Sequence, residues 1–229
     1  MRVLSIPCLK DNYSYLVIDG TYAACVDPGE HTAVRTVIER EGITLSQIWL
    51  THHHWDHVGG VDELATEGVE VIAHTSDRTR LPKVTHGVDE GDTVQLGSLK
   101  ATIIHNPGHT LGAISYLIHG CVFTGDTLFG GGCGQVFEGT MDQMHASLQK
   151  LGALPGDTRV YFGHEYTAAN LRFAAHVEPD NEQIATRARA LPSPSTPSTI
   201  ALELATNPFL RANDAAAFAA RRAAKDAFK

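Results

Sequence analysis

A change of texture near residue 165 limits what this chain can fold into more than any other feature. Before it, short β-rich runs alternate with loops rich in Gly and Asp. After it, the sequence is alanine-rich and nearly free of strand formers. Apolar and alternating runs predict strands at residues 2–6, 13–18, 22–26, 47–50, 69–73, 93–96, 100–105, 113–118, 121–124 and 159–162. In HTAVRTVIERE the apolar pairs Ala33/Val34 and Val37/Ile38 recur one turn apart, and the pattern stops at Gly42. GGVDELATEG and MDQMHASLQKLG give two more helices. Many strands with helices at irregular intervals imply a layered α/β sandwich, because a doubly wound sheet would show strict strand–helix alternation.

Beyond Glu165, the segments YTAANLRFAAHV, NEQIATRARAL, IALELATN and DAAAFAARRAAKDAF all read as helix. PSPSTPST, residues 192–199, breaks this run and predicts an extended connection between helices. The expected organisation is a sandwich domain over residues 1–165 and a small helical domain over residues 166–229. With 229 residues, 43% of them hydrophobic and 19% charged, the chain has ample apolar material for both.

The net charge of −8 argues against a general affinity for nucleic acid or an anionic membrane. The charge is uneven, however. Residues 211–229 carry Arg211, Arg221, Arg222, Lys225 and Lys229 against Asp214 and Asp226. Such a tail either meets an anion or is a solvated helix face. MRVLSIP has no secretory character, and no apolar run is long enough to span a bilayer. Four cysteines in a chain of this length are not a disulfide scaffold, and Cys25 and Cys121 lie in apolar runs as small buried hydrophobes. A monomer in a reducing cytoplasm is the expectation.

THHHWDH, residues 51–57, follows the apolar segment QIWL and holds four histidines and an aspartate. In extended backbone His52 and His54 point to one side and His53 to the other. Asp56 and His57 come as the chain turns into the next helix, so one loop offers two sets of metal ligands. Three later segments add lone ionisable residues after strands, each beside a glycine: His109 in NPGHT, Asp126 in FTGDT and His164 in YFGHE. Zinc and iron take neutral imidazole and carboxylate ligands, so four strand ends with this chemistry point to a metal site. His31, His74, His86, His119, His145 and His176 read as surface or satisfied core residues instead.

THHHWDH, NPGHT, FTGDT and FGHE resemble the metallo-β-lactamase superfamily in order and spacing. VDPGE, TGDTLF, GCGQVFEGT, GHEYTAANLRFAAHVEP and NPFLR resemble the glyoxalase II (hydroxyacylglutathione hydrolase) family, and this resemblance runs from the first strands to the last residue. It implies an αββα sandwich with a C-terminal helical domain and two divalent metal ions, zinc foremost, with iron or manganese also suited to the ligands. It implies that His52, His54 and His109 hold one metal, that Asp56, His57 and His164 hold the other, and that Asp126 bridges them. Asp27 in CVDPG ends a strand on the same rim, where a carboxylate orients metal-bound histidines.

The activity implied is hydrolysis of S-D-lactoylglutathione, the second step of methylglyoxal detoxification, with Asp56, Asp126 and a metal-activated water at the reacting centre. Two cations bring the pKa of a shared water from about 15.7 to near 7, and the thiol leaving group, with a pKa near 8.5, needs little protonation. No G-x-S-x-G elbow points to a serine mechanism. The resemblance places Tyr166 against the glutathione moiety and Arg222 and Lys225 on its glycine carboxylate. Gln135 stands where the family usually has a basic residue, and Phe137 where some members have tyrosine. The rivals share the fold: a β-lactamase, a lactonase, an RNA-processing nuclease or a mono-iron persulfide dioxygenase. The acidic surface disfavours the nuclease, the start of the chain disfavours a secreted β-lactamase, and metal stoichiometry separates the dioxygenase. A non-catalytic structural zinc module would be rich in cysteine, and this cluster has none.

Overall fold

A computed structural model describes residues 1–228. Strands β1 (Arg2–Cys8), β2 (Asn12–Asp19) and β3 (Tyr22–Val26) form an antiparallel meander. Helix α1 (His31–Glu41) then carries the chain across to β4 (Thr44–Trp49), parallel to β3. It ends at Gly42, whose φ of 62° lets its N–H turn back to the carbonyls of Ile38 and Glu39. The helix expected over GGVDELATEG is instead a single turn, α3 (Val61–Leu64), and the poor helix formers Gly59 and Gly60 separate it from another single turn just before, α2 (Trp55–Val58). Strands β5 (Glu70–His74) and β6 (His86–Val88) complete the first sheet in parallel. β6 is only three residues around a glycine, too short to give a sequence pattern.

The second sheet continues the chain through β7 (Thr93–Leu96), β8 (Leu99–His105), β9 (Ile114–Ile118) and β10 (Cys121–Gly125), all antiparallel. A small ribbon, β11 (Leu128–Phe129) with β12 (Gly132–Cys133), precedes α4 (Met141–Gly152). Thr140 and Gln143 form a reciprocal capping box that sets the start of α4. Strand β13 (Arg159–Phe162) then returns parallel to β10. The sheets pack face to face: Tyr15, Val17, Val26, Trp49 and Ile72 of the first meet Ile103, Tyr116, Phe123 and Tyr161 of the second. The alternate residues Leu16, Cys25, Ile48 and Val71 face outward onto Val34, Val61 and Leu64. Burial on both faces explains why these strands are continuously apolar.

Helices α5 (Thr167–Val177), α6 (Glu182–Arg189), α7 (Ile200–Thr206) and α8 (Ala215–Ala227) follow, with β14 (Ser198–Thr199) between α6 and α7. The proline-rich connection is more than a linker, because its last two residues pair antiparallel with β13 and supply the sheet's edge strand. Phe173, Ile200, Phe209 and Phe218 are fully buried in the same apolar cluster as Leu148, Leu151 and Phe162. Truncating one such phenylalanine to alanine costs about 3–5 kcal/mol. Arg187 is paired with the fully buried Glu203 at 2.6 Å and also donates to Thr206 and Ser198, tying α6, β14 and α7 together. Breaking a buried pair of this kind by removing one partner costs about 3–5 kcal/mol. Among the described residues no helix is long and apolar enough to cross a membrane.

Candidate metal centre and substrate cavity

The parallel pairs β3/β4 and β10/β13 all end at one edge of the sandwich, and the loops leaving those ends carry His52, His54, Asp56, His57, Asp126 and His164, while His109 comes from the loop after β8. His52 Nε2 and His109 Nε2 lie 3.1 and 3.0 Å from His54 Nδ1. Beside them His57 Nε2 and His164 Nε2 are 3.2 Å apart, and Asp56 Oδ2 lies 3.7 and 3.4 Å from them. Asp126 sits between the two groups, with Oδ1 3.3 Å from His57 and Oδ2 3.3 and 3.5 Å from His164 and His109. Each group of three has its ligand atoms within 4.8 Å of one another. Gly163 permits this closeness, since a side chain there would collide with the Asp126 carboxylate and the His57 ring.

The outward nitrogens fix which lone pairs face inward. His109 Nδ1–H donates to the Gln135 carbonyl at 2.8 Å, so its Nε2 carries a free lone pair in the neutral ring. His57 Nδ1 faces Asp27 Oδ2 at 3.0 Å, and His164 Nδ1 faces Asp11 Oδ1 at 2.8 Å. Thr51 gives its hydroxyl proton to Asp27 at 2.6 Å, so at 3.0 Å it accepts from His52 Nδ1 and leaves His52 Nε2 unprotonated. Asp27 also belongs to a compact trio with His52 and His57. Its oxygens are already taken by the Thr51 N–H and hydroxyl and by His57 Nδ1, which makes it an outer support.

Electrostatics divide the cluster. Burial holds His52 and His109 in the neutral form, and burial with the nearby His109 and His53 pushes His54 down to about 4. Burial also opposes a charge on His164, but Asp126 and Asp56 outweigh it and push the ring up to about 10. His57 follows the same pattern, with burial overcome by Asp126 and Asp27. Asp126 is buried, yet His57 and His164 keep it ionised. Its Oδ1 has no hydrogen-bond partner among the described residues. Converging imidazole lone pairs and an orphaned carboxylate oxygen suit divalent cations.

A cavity of about 420 Å³ opens from these ligands and is also lined by Phe129, Gln135, Phe137, Tyr166, Arg222 and Lys225. The structure therefore brings every site residue expected from sequence to one place, with Asp27 directly behind. Phe137 is exposed and lies against the rings of His54 and His109. Tyr166 stacks on His164 with the ring planes 4° apart. Arg222 is 5% exposed, so it does not belong to a solvated helix face. Its guanidinium lies over Phe209 and donates to the Cys133 carbonyl.

His53 points away from the cluster to Asp77 and Arg80. Arg80 reaches on to Glu138 at 2.6 Å, and Glu138 accepts from the Leu111 N–H at 2.9 Å, which anchors the loop bearing Phe137. The sequence reading did not pick out Asp11, Asn12 or Thr51. Asn12 donates to Asp56 Oδ2 at 2.9 Å. Asp11 and Asn12 sit in the β1–β2 hairpin, where such residues read simply as turn formers.

Residues 10–164 match the Metallo-beta-lactamase superfamily, and residues 165–228 match the Hydroxyacylglutathione hydrolase C-terminus. A hydroxyacylglutathione hydrolase of Jannaschia sp. is 45% identical over 223 residues, covering 93% of this chain and 87% of the relative. One from Acidiphilium cryptum is 45% identical over 234 residues, covering 99% and 96%. Among solved structures, ETHE1 from Myxococcus xanthus superposes with a TM-score of 0.77 at 26% identity, covering 97% of this chain and 90% of that one. A two-sheet sandwich whose strand ends converge on a histidine–aspartate cluster, followed by the matching C-terminal helices, places this chain in the hydroxyacylglutathione hydrolase family of the metallo-β-lactamase superfamily.

Proposed function

We propose that the chain hydrolyses S-(2-hydroxyacyl)glutathione, S-D-lactoylglutathione above all, to the 2-hydroxy acid and glutathione, as the second step of methylglyoxal detoxification. Its relatives of about 45% identity are named for this reaction. His52, His54 and His109 would hold one divalent cation, and Asp56, His57 and His164 a second, with Asp126 shared and zinc the first choice of metal. Residues 1–165 supply this centre, and residues 166–229 supply most of the thiol-carrier end. The observation that carries the reading is that His54, Asp56, His109, Asp126 and His164 of the ligand cluster line one continuous cavity with Tyr166, Arg222 and Lys225. Four free, buried cysteines support a cytosolic setting.

When bound, divalent cations supply an acidified water and a Lewis acid for the thioester carbonyl. The chain's own groups do the rest. Asp126 Oδ1 is buried, with the His57 ring 3.3 Å away in no well-formed hydrogen bond, so it can orient a water proton once that ring is neutral. Asp56 is kept ionised despite its partial burial by His164, His57 and Asn12, and it stays an acceptor. Phe129 and Phe137 give the cavity apolar walls beside the metal ligands. Burial and the nearby Asp11 push Tyr166 up to about 12, so it remains a phenol that can donate to the substrate. Lys225 supplies a cation at the far end, and a thiolate leaves without a strong general acid.

The test is a panel of S-D-lactoylglutathione, a β-lactam, a lactone and a persulfide on protein of known metal content. The reading requires kcat/KM for the glutathione thioester to exceed the others by orders of magnitude at close to two metals per chain. One iron per chain with oxygen-dependent persulfide consumption would sink it in favour of a dioxygenase.

A further inference from the structure

The end of the cavity that would receive a carboxylate already holds one. Asp226 Oδ1 accepts from Arg222 Nε at 3.1 Å, from Arg222 Nη2 at 2.8 Å and from Gln135 Nε2 at 3.2 Å. These are the donors that a carboxylate on the substrate would use. Nε and Nη2 form the forked edge of the guanidinium, which fits two carboxylate oxygens side by side. Asp226 fills that fork with one oxygen, and its side chain is 42% exposed. The acid is therefore a weakly seated counter-ion on a firmly seated cation. Arg222 itself is fixed by the Cys133 carbonyl and the Phe209 ring. Lys225, next to Asp226 in sequence, lies 5.6 and 5.8 Å from the centres of the Phe173 and Phe228 rings and has no ion-pair partner among the described residues.

We propose that Asp226 is a built-in competitor for the carboxylate of the thiol carrier, and so a specificity-determining residue of this cavity; this rests on the glutathione reading above. A carrier with a carboxylate must first displace Asp226 from Arg222, and its apparent affinity is reduced by the fraction of molecules in which Asp226 is seated. A carrier without that charge has no claim on the fork and is indifferent to Asp226. Gln135 belongs to the same device, because a neutral amide can hold either carboxylate, whereas a cation there would hold Asp226 more tightly.

The variants are Asp226→Asn, nearly isosteric and uncharged, and Asp226→Ala. Calorimetry on wild type and both variants would compare glutathione with its glycine monoethyl ester, and kinetics would follow S-D-lactoylglutathione. Both variants are expected to lower Kd for glutathione and KM for the thioester by about two- to fivefold, the range of a half-exposed ion pair. The shift should lie in KM, with kcat following it little, and the ester should bind all three proteins alike. Weaker glutathione binding in both variants would overturn the proposal and make Asp226 a support that positions Arg222. An equal shift for acid and ester would also overturn it, since charge would then not be the cause. A wild type that binds no glutathione overturns the functional reading together with this one. A wild type that binds it, with variants that bind it no better, overturns this inference alone.

Discussion

The two ligand groups at the strand ends are a few ångströms apart and are built on opposite principles. His52, His54 and His109 form an imidazole cluster supported by a threonine hydroxyl and a backbone carbonyl, and burial keeps it neutral. Asp56, His57 and His164 are surrounded by Asp11, Asp27 and Asp126; against the cost of burial, Asp126 with Asp27 keeps His57 protonated and Asp126 with Asp56 keeps His164 so when no cation is bound. The first group is ready for a cation at neutral pH. The second must release protons first.

The largest effect tests whether the groups are joined. Asp126 lies between the groups, 3.3–3.5 Å from histidines of both, so Asp126→Ala should lower turnover at least about a thousandfold and reduce metal content at both groups. A variant that keeps one full equivalent of metal and normal activity would show that the groups work separately. Next come the outer carboxylates. Asp11→Ala should weaken metal binding about 10- to 100-fold at the second group only. Asp27→Ala should do so at both, because Thr51 passes its hold on to His52. Chelator competition on the folded variants measures this, and equal losses at both groups for Asp11→Ala would break the contrast.

The pH dependence follows from the raised histidines. In metal-free protein the pairing of His164 with Asp126 and Asp56 stabilises fully below about pH 6.5 and is lost as the pH rises through about 10. Cation affinity at this group runs the other way, rising between pH 7 and 10 by about tenfold per unit for each proton displaced. Affinity at the imidazole group should change little until the pH falls toward 4, where His54 charges. Calorimetry in buffers of different ionisation enthalpy counts the protons released. The smallest effect lies outside both groups. Arg80 holds Glu138 down to about 2, so their pairing is complete above about pH 4.5 and is lost as the pH falls toward 2. The pair is partly exposed, and Glu138→Gln should loosen the Phe137 loop enough to raise KM about two- to fivefold with both metals retained.

The ligands were legible because each lies just past an apolar strand, where alternation sets the side that a residue faces. Their supports were less legible. Asp11 is a hairpin residue in sequence and becomes a histidine's partner only once β13 brings His164 alongside. Arg222 sits in an alanine-rich helix with nothing local to suggest burial, and its surroundings come from the turn that holds Phe209 and from Cys133 of the distant strand β12. Strands β6, β11, β12 and β14 have two or three residues each, and their existence depends on pairing rather than on propensity.

Ser198 and Thr199 complete a sheet begun more than a hundred residues earlier, and Phe209 and Phe218 fill the core beside it. The helical third is thus no detachable module. Exchanging residues 166–229 with those of a relative, to redirect the enzyme to another thiol, would also exchange an edge strand and part of the interior. A working chimera needs its junction inside the packing, with β14 and the buried phenylalanines of this chain retained and only the cavity-facing side of α8 replaced. The break in texture at residue 165 is the wrong place to cut.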